Sequence, residues 1–278
     1  MTDPKIILGT TNIKKLDLLA KKKPQSILIY SKRGLGVNIA SSYYAKKIKG
    51  IVNNIYPTDI DGNTDIKRGT IKISQIRDLI KHSQNFSKEN VITIINYADK
   101  MQESAQNSFL KLLEEPIENH YIVLTSENKG ALLNTILSRV QEIELKSPSK
   151  LEFDKLFDIE KTKNEKKNQQ IKFIANNRPY KLIELKDEDN LNHNLEIFMD
   201  ARKFINEITV DSFKLIKKYS EKKEDLLELL DAILIILNSL MIKKPSRELS
   251  DKILLCIDVI KKIENQKNAK IQLLRLMI

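Results

Sequence analysis

The stretch Val91 to Leu145, VITIINYADKMQESAQNSFLKLLEEPIENHYIVLTSENKGALLNTILSRVQEIEL, decides the fold. It opens on an apolar run, Val91 to Ile95, rich in β-branched residues, which reads as a buried strand. The run breaks at Asn96-Tyr97-Ala98-Asp99. Ala105, Phe109, Leu112 and Leu113 then fall on one face at helical spacing, which predicts a helix from about Gln102 to Glu115, stopped by Pro116. Tyr121 to Thr125 reads as a second strand, followed by a loop, a short helix and Ser138-Arg139-Val140.

Upstream, Ile13, Leu16 and Leu19 mark a short N-terminal helix that Pro24 breaks. Ser26 to Tyr30 is a candidate central strand, and a helix is expected from about Ile39 to Ile48. Strand, glycine-containing loop, helix is the context of a phosphate-binding loop, which needs G-x-x-x-x-G-K-[ST]. Its glycines let backbone N–H groups reach the phosphates, its lysine meets the β and γ phosphates, and its hydroxyl holds Mg²⁺. The corresponding residues are Ser31-Lys32-Arg33-Gly34-Leu35-Gly36-Val37-Asn38. Gly36 is in place, but Ser31 stands for the first glycine, Val37 for the lysine and Asn38 for the hydroxyl residue. Lys32 and Arg33 lie on the wrong side of the loop to substitute. The loop therefore reads as a turn, with Gly34 and Gly36 easing it, in which nucleotide binding is weak or absent.

The strand end carries a second loss. An active ATPase places Asp-Glu after a strand such as Val91 to Ile95, the Asp supporting Mg²⁺ and the Glu orienting the attacking water. This chain has Asn96-Tyr97, and neither side chain is a general base at neutral pH. Between the two motifs, Gly50 to Thr70 is poorly patterned apart from an Asp61-Gly62 turn signal. Ile71-Lys72-Ile73 reads as a brief strand, and Ser74 as the N-cap of a helix, Gln75 to His82, with Ile76, Leu79 and Ile80 as its apolar stripe.

The chain has 278 residues, 41% apolar and 31% charged, enough for a full core and two or three domains. A net charge of +11 suits a polyanion such as DNA, and reads equally as the Lys-rich bias of the whole sequence. One cysteine, Cys256, excludes an internal disulfide, and its apolar helical setting marks it as a core thiol. The start, MTDPKIILGTTNIKK, lacks the pattern of a secretory signal, and Leu226 to Ile242 is interrupted by Glu228, Asp231 and Asn238, so no membrane span and a cytoplasmic protein are expected. After the linker Ser147-Pro148-Ser149 come helices at Leu151 to Phe157 and Gln170 to Ala175, separated by charged residues, then a second polar linker, Lys186 to Asn190. The remainder is helical throughout, and Leu226 to Ile242 is apolar around most of its circumference, which means burial on several sides.

This order of parts resembles the AAA+ subunits of bacterial clamp loaders, in the DNA polymerase III holoenzyme. The most specific local match is NSFLKLLEEP, Asn107 to Pro116, and Ala98-Asp99-Lys100-Met101 also fits. Thr125 to Thr135 resembles the sensor 1 strand end and its loop, and Ser138-Arg139-Val140 resembles the family's Ser-Arg-Cys motif with Val for Cys. Asn177 to Ile183 is similar to the lid segment, with Lys181 where the sensor 2 arginine would be. Pro57 and Asp59 match the strand after the family's zinc module, but its cysteines are missing, so no metal site is carried over.

The resemblance implies an α/β plus all-α protein. Residues 1–146 would be a RecA-like AAA+ domain with a parallel sheet and a degenerate phosphate loop, 147–190 a helical lid and 191–278 a helical collar for oligomerisation. Arg139, with Ser138, would act in trans on ATP held by a neighbouring subunit, as guanidinium groups do on a γ-phosphate. On spacing alone Arg139 reads also as a surface arginine at a helix end. The chain itself would take no cofactor, ATP and Mg²⁺ belonging to the partner. Expected partners are the tau/gamma and delta subunits in a pentameric hetero-oligomer, with the sliding clamp and primer-template DNA reached through it. Two other readings predict different behaviour: an ATP-hydrolysing tau/gamma subunit would bind Mg²⁺-ATP alone, and a stand-alone basic DNA-binding protein would bind DNA salt-sensitively without partners.

Overall fold

The computed structural model describes residues 4–66, 68–83, 89–206, 210–264 and 268–276. Two compact units are present: Met1–Lys161 with Asn177–Lys181, and Thr162–Asn176 with Leu182–Ile278.

The first unit begins with helix α1 (Pro4–Lys22), then β1 (Ser26–Tyr30), α2 (Val37–Ile48), β2 (Ile51–Ile55), α3 (Ile73–Ser83) and β3 (Val91–Ile95). A 3₁₀ turn at Ala98–Lys100 leads to α4 (Glu103–Glu114), β4 (His120–Ser126), α5 (Asn134–Leu137), β5 (Gln141–Glu144) and α6 (Lys150–Glu160). The five strands make one parallel sheet in the order β2-β3-β4-β1-β5. Parallel neighbours require crossover connections, and α2, α3 and α4 supply them. This is the RecA-like α/β layout expected of an AAA+ domain.

Both faces of the sheet are covered, which explains the predominantly apolar β1 and β3. Ile27 and Ile29 of β1 pack with Leu16, Ala40 and Tyr44 from α1 and α2, together with Ile92, Ile94 and Val123. Leu28 points the other way, into a cluster with Ile76, Phe109, Leu112, Ile122 and Leu124. Phe109 is fully buried there.

Several local expectations need correction. The unpatterned segment after Gly50 contains β2, an edge strand whose Ile51 and Val52 remain largely exposed, so it carries no buried-strand signature. Ile71 forms only an isolated parallel bridge to Met101, and α3 starts at Ile73. Ser74 therefore lies inside the first turn and not at the N-cap. The N-terminal helix is longer than its apolar spacing suggests, because α1 continues across a kink at Gly9 (φ 74°, ψ 159°). A Cβ at Gly9 would stand 3.2 Å from Pro148 Cβ. Beside it, Glu152 of α6 accepts from the Thr10 amide (2.8 Å) and hydroxyl (2.7 Å) and from the Ser149 amide (3.0 Å) and hydroxyl (2.8 Å). The Ser149–Glu152 part is a capping box that starts α6 directly after the Ser147-Pro148 linker.

The second unit is helical: α7 (Glu165–Ala175), the later part of α8 (Pro179–Glu184), α9 (Glu188–Asn206), α10 (Val210–Ser220), α11 (Lys223–Lys243), α12 (Arg247–Glu264) and α13 (Ala269–Arg275). α9 starts inside the expected second linker, with the Asp187 carboxylate accepting from the Asn190 amide at 3.0 Å. α11 packs against α9, α10 and α12, and its Leu226, Leu229, Leu230, Ile233 and Leu237 are buried, as its all-round apolarity requires. Cys256 is buried against it, its thiol directed at the Leu230 carbonyl. Among the described residues no helix is long and apolar enough to cross a membrane.

Candidate functional site: a closed phosphate loop and an exposed arginine

The loop after β1 turns through two left-handed glycines, Gly34 (φ 87°) and Gly36 (φ 85°), and α2 begins directly at Val37. The Gly34 carbonyl accepts from the amides of Tyr180 (3.0 Å) and Lys181 (3.2 Å). A Cβ on Gly34 would stand 3.1 Å from the Lys181 Cβ, so the segment Asn177–Lys181 lies directly on the loop. Lys181 thus meets the loop through its backbone and Cβ. The Ser31 hydroxyl donates to the Lys32 carbonyl (2.8 Å), and Arg33 Nε stands 3.8 Å from a Glu127 carboxylate oxygen.

Three side chains meet where the loop, β3 and β4 converge. The Asn38 amide donates to the Tyr97 hydroxyl at 2.7 Å. The Thr125 hydroxyl donates to the Asn38 side-chain Oδ1 at 3.2 Å and accepts from the Tyr97 backbone N–H at 2.9 Å. This closes a circuit among the hydroxyl position of the phosphate loop, the second position of the acidic pair and the end of the sensor 1 strand. Tyr97 reaches it from a left-handed backbone (φ 56°, ψ 54°), an uncommon conformation for a residue with a Cβ. Asn96 is buried and donates to Asn54 Oδ1 at 3.1 Å and to the Ile55 carbonyl at 3.4 Å. An amide, a phenol and an alcohol meet at this corner, and no carboxylate takes part in the circuit. The following Asp99 accepts from the Glu127 amide at 3.3 Å, and burial pushes its carboxyl above the usual range.

Arg139 lies elsewhere on the unit. The short helix α5 is anchored by the fully buried Ile136, and the Arg139 amide closes its end by donating to the Ile136 carbonyl. The side chain is exposed. Its Nη1 donates to the Thr135 carbonyl (3.0 Å) and the Ser138 hydroxyl (3.3 Å), and its Nη2 pairs with Glu114 Oε1 at 2.9 Å. None of these partners belongs to the phosphate loop. Sequence reasoning missed Thr125 as the hub of the circuit and Glu114 as the arginine's partner, since neither pairing leaves a local pattern. Among the described residues no group of three His, Cys, Asp or Glu side chains could hold a metal ion.

The parallel sheet, its strand order and the strand–loop–helix corner give the first unit a RecA-like α/β fold. More particularly, the chain is similar to the delta prime subunit of DNA polymerase III. A family model described as DNA polymerase III, delta subunit, matches residues 44–149. The delta prime subunit of Haemophilus influenzae is 28% identical over 165 residues, 52% of this chain and 49% of that protein. The delta prime subunit of Bacillus subtilis is 40% identical over 79 residues, 27% of this chain and 23% of that protein. The match thus spans about half the length of the first relative and under a quarter of the second. A DNA polymerase III gamma subunit-related protein from Thermotoga maritima, of known crystal structure, aligns over 96% of this chain and 97% of that one at 18% identity and a TM-score of 0.47.

Proposed function

We propose that this chain is a clamp-loader subunit with the delta prime role: it hydrolyses no ATP itself and presents Arg139 to ATP held by a neighbouring tau/gamma subunit. It would work with tau/gamma and delta in a cytoplasmic pentamer that places the sliding clamp on primed DNA, with residues 147–190 as the lid and 191–278 as the collar. ATP and Mg²⁺ would sit in the partner and no zinc in this chain.

The observation that carries the reading is the contrast within one domain. Asn38, Tyr97 and Thr125 spend their polar groups on one another, while the Arg139 side chain is exposed at a helix end. A guanidinium placed against a γ-phosphate stabilises the charge that develops during transfer, and removing such a group costs on the order of 10³-fold or more in turnover.

Reconstitution tests it. The chain is combined with its cognate ATP-binding subunits, and DNA-stimulated hydrolysis is measured with Arg139 and with Arg139→Ala. The alanine form should assemble and lose a large part of the turnover; unchanged turnover in an intact complex overturns the assignment. Calorimetric titration of the chain alone with Mg²⁺-ATP should give no binding, and tight binding would refute the non-hydrolysing role.

A further inference from the structure

We propose that Glu114 is a positioning residue for Arg139, fixing the direction in which the guanidinium is presented. The inference rests on the trans-acting role proposed above and names the group that prepares it.

Arg139 has a long, flexible side chain two residues past the end of a helix of four residues, Asn134–Leu137. Left alone, such a side chain samples many rotamers, and a charge-stabilising group must be placed before the reaction to be effective. Two sets of contacts limit it. Nη1 is drawn back onto the end of its own helix by the Thr135 carbonyl and the Ser138 hydroxyl, and that hydroxyl is itself fixed by donating to Thr135 O at 3.0 Å. Nη2 is held from a separate element by Glu114 at 2.9 Å. A planar guanidinium gripped at both terminal nitrogens, from two elements, has its plane set.

The helix that carries Glu114 is anchored in the core. Glu114 is the last residue of α4, whose Phe109, Leu112 and Leu113 are buried in the core and whose continuation is stopped by Pro116. A carboxylate at this end faces the negative pole of the helix dipole, an unfavourable place for it. Arg139 is its only ion-pair partner among the described residues. The side chains are 38% and 50% exposed, and a pair that open to water adds little to folding stability. A local rule is broken for small structural return, the pattern expected where a residue serves a site.

Four versions of the chain separate the possibilities in the reconstituted complex: Glu114→Gln, Glu114→Asp, Arg139→Ala, and Glu114→Gln with Arg139→Ala. Assembly is checked by gel filtration, and kcat and KM for ATP are read for each. Glu114→Gln should assemble normally and lose on the order of three- to tenfold in kcat, as misplacement of a charge-stabilising group does, with KM for ATP unchanged because ATP is bound by another subunit. Glu114→Asp should recover part of the loss. In the Arg139→Ala background Glu114→Gln should have no further effect. Full activity of Glu114→Gln beside a defective Arg139→Ala overturns the positioning role and leaves the trans-acting arginine standing. Raised activity of Glu114→Gln also overturns it, since the pair would then hold the arginine back. Full activity of Arg139→Ala overturns both.

Discussion

Asn38 and Tyr97, 59 residues apart in sequence, share a 2.7 Å hydrogen bond at the corner where an active ATPase would hold its metal and water. The bond accounts for two departures from the motif at once, because the replacements at the hydroxyl and acidic positions are each other's partners. Tyr97→Phe deletes the acceptor and keeps the ring. A net loss of about 1 kcal/mol is expected for a bond of this kind. Urea denaturation of the single variants Tyr97→Phe and Asn38→Ala and of the double variant should show non-additive losses, and strictly additive losses would mean that the two residues do not act together.

Glu152 predicts how the first unit responds to acid. Chiefly the Thr10 amide and hydroxyl, then the Ser149 amide and hydroxyl, hold its carboxyl at about 2, against an ordinary value of 4.5. A carboxylate with a lowered folded value stabilises the fold above its unfolded value, and that contribution fades as pH falls toward the folded one. Thermal melts of the wild type should therefore drop between about pH 4.5 and pH 2 more steeply than those of Glu152→Gln. Parallel curves would show that the carboxylate is not held in this way.

Cys256 offers a readout of the second unit. Burial, with Asp231 adding to it, pushes its thiol up to about 12, and the side chain is wholly inaccessible. The thiolate is the reactive form, so a disulfide reagent at pH 8 should label the native chain only as fast as the helices open. Added denaturant should raise the labelling rate in step with loss of helical signal. Prompt stoichiometric labelling of the native chain would contradict the burial.

Phe109 ties α4 to the sheet with no exposed surface. Phe109→Ala should cost about 3–5 kcal/mol, the range for a large core aromatic. Equilibrium unfolding measures it, and a loss below about 1 kcal/mol would mean that the site collapses around the gap.

Elements buried on both faces could be read from the sequence, and those at the margins could not. Val91–Ile95 and Ser26–Tyr30 are predominantly apolar because helices cover both sides of the sheet. β2 is an edge strand, and its IVNNI shows water two asparagines and two half-exposed aliphatics, so its sequence has no strand period to find. β5 buries only Ile143 of its four residues, and the same reasoning applies. The departure from the ATPase motif was visible residue by residue at Val37, Asn38, Asn96 and Tyr97. What replaced it was not, because the Asn38–Tyr97 contact depends on a left-handed backbone at Tyr97 and on β3 lying beside β4. The Glu114–Arg139 pair was hidden for a similar reason: it joins the ends of two helices that only the fold brings together.

The circuit of Asn38, Thr125 and Tyr97 has one more consequence. In a working nucleotide switch this corner is a hinge pin, taking one setting on a triphosphate and another after hydrolysis. Here the side chains at that corner bond one another directly. The corner behaves as a rivet. Three hydrogen bonds tie the ends of β3 and β4 and the start of α2 to one another within the chain itself.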